Sequence, residues 1–371
     1  MKVIGFGTYD RQKHPRIGIL LDGLSQLGED VMELNSPLGF STADRVAMLG
    51  KPWLAYRMIF RLVARWLGLA IRRTRLTGPP PDAVVVGYLG HFDIILARLL
   101  FRRTFIVLDL LIFAADTGRD RGVAKGPKLL LLGVLDRVAI SCASVVLVDT
   151  EEHAGLLPGR TFNKAVVAPV GAPDEWFARP PFPRAGGPLR VVFFGLFTPL
   201  QGAPVIADAI AGLPDDGSIE VTMIGSGQDL VETRRCVGDH HAVRWVDWVE
   251  PQELPGMVSG YDVCLGIFGI TPKASRVTPN KVFQGAAAGC AIVTSDTPPQ
   301  RRSMNDSALF VPAGDSSALR HTLRFLATNP DEVFRLRTAA YQRAEDWFRP
   351  SKVCEGLREA IGAGHVRKKL Q

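Results

Sequence analysis

Lys273, Arg276 and Lys281 follow one another along a loop that carries no acid, and Asn280 stands where a helix over Lys281–Ala288 would take its N-cap. The first backbone N–H groups of a helix and the positive end of its dipole favour an anion, and cationic side chains on the approach strengthen that preference. A phosphate-bearing ligand is the natural occupant. The elements needed to hold such a site are legible on both sides. Val263–Phe268 is a short apolar run closed by Gly269, as in a buried strand of a parallel sheet. Gly285 and the small run Ala286–Gly289 let the helix lie close to its sheet, and Ala291–Thr294 opens the next strand. An ordinary βαβ unit with a solvated basic loop reads the same way.

The amino half offers further polar groups at strand ends. Lys2–Gly7 reads as a first strand, Pro15–Leu27 as a helix stopped by Gly28, and Val31–Leu34 as a second strand. Gly7, Thr8 and Tyr9 then lie at a strand's carboxyl end, where open α/β sheets bind ligands. The GFG there lacks the further glycine of a dinucleotide fingerprint, so no nicotinamide or flavin cofactor is expected. The strand Ala83–Gly87 delivers Tyr88, Gly90, His91 and Asp93 to the same edge, and Thr104–Leu108 delivers Asp109, Asp116, Arg119, Asp120 and Arg121. His91 reads as a base or a hydrogen-bond donor to substrate, or equally as a loop histidine capping the next helix. Asp109 is suited to binding sugar hydroxyls or accepting a proton, or to capping. The cluster Asp149–His153 is read as a helix start with Thr150 as N-cap, in preference to a metal site, and no metal is expected.

A chain of 371 residues exceeds one core and fits two domains near the usual ~150-residue size. Hydrophobic residues make up 47% and charged residues 22%, which is globular, and the mean hydropathy is +0.12. A net charge of +7 and a pI near 9.3 point to anionic partners without choosing among nucleotide phosphates, acidic lipids and nucleic acid. Cys142, Cys236, Cys264, Cys290 and Cys354 include no CxxC pair, and the amino terminus does not read as a signal peptide. A reducing cytoplasm is therefore expected.

From Arg45 to Pro81 there is no acid, and Arg57, Arg61, Arg65 and Arg72 form one stripe of a helix over residues 53–75. Ile59, Leu62, Val63, Trp66 and Ala70 lie on another face. The arginines interrupt any membrane-spanning run, but the helix suits an anionic membrane surface, with Trp53 and Trp66 as anchors. A helix packed on its own domain with its arginines in water fits the same pattern. Nucleic-acid binding is not expected, since no stacking platform interleaves the basic residues.

The proline-rich PPFPRAGGP, Pro180–Pro188, marks a composition break. The expected division is an amino-terminal Rossmann-like domain over 1–172, a hinge over 173–187, a second such domain over 188–345 and a helix crossing back over 346–371. In the second half Leu189–Phe194 reads as a strand, Gly195–Gln201 as a glycine-bounded loop and Gly202–Leu213 as a helix. Val221–Ile224 and then Gly225-Ser226-Gly227 repeat the device and give a second backbone nest. Arg244–Val249 is a short strand and Pro251–Tyr261 a helix.

Five ordered segments, FFGLFTPLQG, VTMIGSGQ, WVEPQELPGMVSGYDV, TPNKVFQGAAAGCAIVTSD and LFVPAGDSSALRHTL, resemble the nucleotide-sugar half of family-four retaining glycosyltransferases. The resemblance covers roughly 188–329. It implies an α/β, GT-B fold, two Rossmann-like parallel-sheet domains facing a central cleft. It also implies transfer of a sugar, with retained configuration, from a nucleotide-diphosphate sugar to an acceptor hydroxyl on a lipid-linked saccharide or a small molecule. Gly195, Thr198, Gln201 and Gly202 would underlie the diphosphate, and Gly225 and Gly227 the nucleoside. Asn280, Lys281 and Gln284 would begin the helix facing ribose and sugar, with Thr294, Ser295 and Asp296 beneath. Gly7, Thr8, Tyr9, Tyr88 and Asp116 would line the acceptor side. Lys281, Asp109, His91 and Arg276 are the catalytic candidates.

Three departures stand out. The family's loop arginine and lysine are Leu196 and Gln201 here, its acidic pair is Arg276 and Gln284, and Asp109 replaces its usual histidine. The diphosphate charge then falls to Arg276, Lys281 and Lys273, with no divalent ion and no cofactor. A catalytically silent GT-B subunit and a peripheral adaptor on the inner face of the cell membrane are the competing readings.

Overall fold

The computed structural model describes residues 1–11, 14–39, 52–87, 90–120, 123, 125–177, 180–181 and 186–369, with the side chains of 52–55, 57 and 365–369 outside the description. Tyr88 and Arg121 also lie outside the described residues. The chain divides into two compact units, Met1–Ala168 with Val353–Gln371, and Pro169–Lys352.

The first unit runs β1 (Lys2–Gly7), α1 (Pro15–Gln26), β2 (Asp30–Asn35), α2 (Pro52–Thr74), β3 (Ala83–Val86), α3 (Asp93–Leu100), β4 (Phe105–Asp109), α4 (Ala114–Asp120), α5 (Pro127–Cys142), β5 (Val145–Val148), α6 (Glu151–Ala154) and β6 (Ala165–Val167). Its strands form one parallel sheet ordered β2-β1-β3-β4-β5-β6. Strands buried on both faces need apolar side chains throughout, and β3 is Ala-Val-Val-Val with no exposed atom among them. On one face Leu69 of α2, Ile94 and Ala97 of α3 and Ile140 of α5 pack on Phe6, Val84 and Leu108. On the other, Ile17, Leu20 and Leu24 of α1 pack with Val353, Leu357 and Ile361 from the terminal helix.

The second unit runs β7 (Leu189–Phe194), α7 (Ala203–Ala211), β8 (Ile219–Ile224), α8 (Leu230–Val237), β9 (Val243–Val246), α9 (Leu254–Val258), β10 (Val263–Leu265), α10 (Asn280–Ala287), β11 (Ala291–Ser295), α11 (Pro298–Met304), β12 (Ala308–Val311), α12 (Ser316–Thr328) and α13 (Pro330–Trp347), and α14 (Pro350–Lys369) follows. Its parallel sheet is ordered β12-β11-β10-β7-β8-β9. The order reverses between β7 and β10, so the loops leaving those neighbours part in opposite directions and open a crevice at their carboxyl ends.

Four local expectations are corrected. Pro279, extended at φ −74° and ψ 152°, takes the cap position of α10, so Asn280 is its first helical residue and caps nothing. The helix expected over 251–261 is confined to α9, whose start Pro255 fixes, and the strand expected over 244–249 is Val243–Val246. On α2 the inward residues are Leu62 and Leu69 with Trp66 beside them, while Ile59 and Val63, expected to share that apolar face, are 52% and 46% exposed.

Gly285 sets how near α10 lies to the sheet. A Cβ there would stand 2.6 Å from Cys264 Sγ and 3.1 Å from Ile292 Cδ1. Gly285→Val is therefore expected to cost about 1–3 kcal/mol of stability in urea unfolding, with Cys264→Ala recovering part of it. Equal stability of Gly285→Val and wild type would show that the helix is free to move away.

Candidate active site

The crevice at the switch point is framed by backbone. Gly195 N donates to Ile224 O at 3.0 Å, Phe197 N to Ser226 O at 3.0 Å, and Asp229 N to Phe197 O at 3.0 Å, which fastens the loop after β7 to the loop after β8. Gly225, at φ 123°, must lack a side chain, because its Cβ would lie 2.0 Å from Gly195 O. On the other side Phe268 N donates to Gln201 O at 3.0 Å, and Gly314 N to Phe268 O at 3.0 Å. Four strand-end loops, those after β7, β8, β10 and β12, are thereby locked together. Thr198 closes the turn by accepting from Gln201 N at 2.8 Å, and Gly202, in the left-handed region at φ 67°, leads into α7.

Lys281 enters this frame from the first turn of α10. It is 4% exposed, and its ammonium lies 3.5 Å from the centre of the Phe193 ring. A Cβ on Gly195 would stand 3.5 Å from the same Nζ, which places the amine under the β7 loop. The Nζ has no hydrogen-bond partner. Burial disfavours the charged form and lowers its pKa to about 7, with the nearby Cys264 acting weakly in the other direction. The Cys264 thiol is itself pushed up to about 12 by burial, so it stays neutral. A buried amine with nothing to bond to, at a helix N-terminus beside a glycine loop, is an arrangement completed by an anion. Gln201 Oε1 is buried and also lacks a partner, an acceptor that calls for a donor such as a hydroxyl.

The other predicted donor residues are placed less uniformly. Arg276 is half-buried in a short 3-10 turn, Ala274–Arg276, on the connection into α10. Gln284 is half-buried one turn beyond Lys281, whereas Asn280 and Gly227 are exposed. Thr294 and Ser295 are fully buried, gripped by Gln300: Thr294 Oγ1 donates to its Oε1, and its Nε2 donates to Ser295 Oγ at 2.8 Å and Thr297 Oγ1 at 3.3 Å. Asp296 turns outward to a two-bond ion pair with Arg301, which holds its carboxyl below the usual range.

In the first unit most of the candidate polar groups are already engaged. Asp93 accepts from Thr8 N at 2.7 Å, Thr8 Oγ1 at 2.8 Å and Trp66 Nε1 at 2.8 Å, so Thr8 and the loop at Gly7 are tied to α3 and α2. Tyr9 donates to Glu33 at 2.7 Å, and its pKa is driven upward by burial and then by that carboxylate. His91 is buried with Nε2 2.9 Å from Asp136 Oδ1, and Asp136 also accepts from Ala114 N at 2.8 Å and Ala115 N at 3.0 Å, capping α4. Asp116 is half-buried in the first turn of α4. Asp109 is buried at the end of β4, Oδ1 meeting Arg16 Nε at 3.2 Å while Oδ2 has no partner. Its pKa is raised by burial, which outweighs the Arg16 guanidinium, and Asp149 adds to the rise. Asp149 pairs with His153, and Thr150 caps α6 by accepting from His153 N at 3.1 Å.

Phe193, Gln300 and Arg16 were missed in sequence. Arg16 carried a usable signal, a cation one residue past the proline that starts the helix after a strand-end loop. The other two carried none, since Phe193 is one apolar residue in an apolar strand and Gln300 one amide among many.

Residues 205–356 match the protein family described as Glycosyl transferase-like. The match runs from α7 through Lys281 into α14 and agrees with the resemblance carried by the five segments. No curated protein matches the chain in sequence. In fold it is similar to HepE of Anabaena in complex with UDP-glucose, at 11% identity and TM-score 0.66 over 98% of this chain and 100% of that one. It is also similar to a sucrose-phosphate synthase from Thermosynechococcus elongatus, at 13% identity and TM-score 0.68 over 100% and 98% of the two chains. The shared fold is GT-B, with a Rossmann-like parallel sheet in each unit, and the second unit carries the crevice described above.

The unpaired Lys281 predicts an unusual pH dependence of stability. Its native pKa of about 7 lies below the unfolded value of 10.5, so between these the unfolded chain holds the extra proton and stability rises with pH. Below the lower value the full cost is present. Replacing the amine by an apolar chain of similar length, Lys281→Met, is expected to raise stability by about 2–4 kcal/mol at pH 6 and to flatten the slope across that window. Thermal melts of both proteins over the pH series measure it, and a less stable Lys281→Met would mean that the amine is well compensated.

Proposed function

We propose that this protein is a retaining glycosyltransferase that takes a sugar from a nucleotide-diphosphate sugar held on the second unit. The observation that carries the reading is the buried, unpartnered Lys281 ammonium at the start of α10 beside the Gly195 loop. An incoming diphosphate supplies the missing partner, and charge developing on the leaving group is stabilised by Lys281, Arg276 and the N-terminus of α10, without a divalent ion. Gly225 and Gly227 give a side-chain-free floor for the nucleoside, and Gln284 offers an amide to the ribose. Uridine is the favoured base, since the HepE structures hold UDP or UDP-glucose.

The acceptor hydroxyl, on a lipid-linked saccharide or a small molecule, is assigned to the carboxyl edge of the first sheet. There Asp109 Oδ2 is a buried carboxylate oxygen without a partner and with a raised pKa, suited to a hydroxyl or its proton. His91, with Asp136 on its Nε2, positions the loop after β3 and the start of α4. Attack on the same face from which the diphosphate leaves gives retained configuration. We place the protein in the cytoplasm, with α2 against the inner face of the cell membrane.

Lys281→Met is expected to abolish UDP-sugar turnover and to weaken UDP binding at least about 100-fold, with circular dichroism unchanged. Wild-type turnover in that variant would remove Lys281 from the reaction. UDP binding by wild type without turnover over a screen of acceptors would establish the silent subunit instead.

Donor binding is further expected to take up a proton. Lys281 is largely neutral above pH 7 in the empty site, and the bound diphosphate favours its charged form. Affinity for UDP should fall by up to about tenfold per pH unit above 7, and titration calorimetry in buffers of different ionisation enthalpy reads the proton directly. A pH-independent affinity from 7 to 9 would show that the amine does not meet the phosphate.

A further inference from the structure

On the face of the first sheet that carries α2, α3 and α5, the inner sides of the helices bury Leu69, Ile94, Ala97 and Ile140. Their outer sides are apolar as well. Along α2, Tyr56 and Phe60 are 77% and 76% exposed, and Val63, Leu67 and Ile71 continue the stripe at helical spacing. On α5, Leu130 and Leu131 are 67% and 68% exposed and Val134 stands on the same side, while Leu99 of α3 lies on the helix between. A helix apolar on two sides is covered on both, and large aliphatic and aromatic side chains standing in water at this density mark an interaction surface.

The charges identify what covers it. Helix α2 contains no carboxylate. Of the other two helices, α3 has Asp93, buried under Thr8 and Trp66, and α5 has Asp136, buried under His91 and the start of α4. No carboxylate of these helices reaches solvent. The cations do: Arg61, Arg65 and Arg72 on α2, Lys128 and Arg137 on α5, and Arg102 and Arg103 just beyond α3 are all exposed. Apolar stripes bordered by cations and stripped of exposed acids match an anionic lipid surface, where the headgroups meet the arginines and the apolar stripe enters the acyl boundary. A second copy of the chain fits poorly, because a two-fold contact would set arginine against arginine with no carboxylate between. No described helix is long and apolar enough to cross a membrane, which leaves the surface as the place of contact.

We propose that the outer face of α2, α3 and α5 docks on the surface of an anionic bilayer, with Tyr56, Phe60 and Leu67 inserted and the Arg61–Arg65 side of α2 and Arg137, beside Val134 on α5, on the headgroups. This rests on the membrane-surface part of the proposed function and deepens it from one basic helix to a three-helix face with a defined insertion stripe. The donor chemistry is independent of it.

Flotation of the full chain with phosphatidylcholine vesicles, with and without phosphatidylglycerol, tests the surface. Wild type is expected to float only with the anionic vesicles and to be released by salt. Phe60→Asp/Leu67→Asp and Arg61→Glu/Arg65→Glu should each lower the bound fraction about tenfold or more, with melting temperature and UDP affinity unchanged. Equal flotation of wild type and both variants would overturn the assignment, as would flotation independent of phosphatidylglycerol. Absence of wild-type flotation overturns it too, and a dimer in light scattering that Phe60→Asp/Leu67→Asp dissolves would then assign the face to a second copy. Intact flotation by a protein that binds no nucleotide would keep the surface and remove the transferase reading.

Discussion

A single amine removed from water and given no hydrogen-bond acceptor constrains the second unit. The fold tolerates Lys281 by laying it on the face of Phe193, where the ring quadrupole attracts it, and by letting it lose its proton easily. Both devices require α10 to sit hard against the sheet. That closeness comes from Gly285 over Cys264 and from a helix whose other inward residues are Val282, Phe283, Ala286 and Ala287. The switch point between β7 and β10 then decides where the amine lies, because the β7 loop above it and the connection leading into α10 both start there.

The first unit solves the opposite problem. It buries carboxylates and gives nearly every one a donor: Asp93 receives three, Asp136 receives two backbone N–H groups and a histidine, and Glu29 takes the terminal amine and Arg358. Those bonds join β1 to α3 and α2, α5 to α4, and α14 to the turn before β2, so they act as rivets of the unit. Asp109 departs from this, with one oxygen on Arg16 and the other bare, and Asp120 Oδ1 is bare as well. A carboxylate that is half satisfied and fully buried holds its proton more readily than one in water.

How much of this was legible in sequence divides along a physical line. Strands buried on both faces are continuous apolar runs, so β1, β3, β4, β5 and β7 could be placed nearly to the residue, and the strand-loop-helix run into α10 followed from the same signal. Lys281 could be singled out because cations without acids before a helix are a local pattern. Its burial over Phe193 could not, since that contact joins residues far apart in the chain. Tyr9 with Glu33, His91 with Asp136 and Thr8 with Asp93 are likewise non-local, and each turned a residue that looked available into one already bonded. On α2 the period was readable but its phase was not: a helix with apolar residues on two sides gives one amphipathic signal, and only packing shows that Leu62 and Leu69 face inward while Phe60 and Leu67 do not.

The departures in the β7 loop follow from where the cations went. With Leu196 half exposed and Gln201 at the two loop positions, the loop itself brings no charge to the crevice, and the Lys281 amine beneath it is about half protonated near pH 7. A loop cation that is always charged and hydrated attracts any anion at a distance and is screened by salt. A buried amine whose charged form is favoured when an acceptor arrives within bonding range discriminates by contact. Its desolvation has already been met in folding, so its interaction with a phosphate oxygen is made at low dielectric and without reorganisation when leaving-group charge appears. On the proposed function, a cation at the base of α10 in place of one on the loop would trade long-range capture for a stronger grip on a leaving diphosphate.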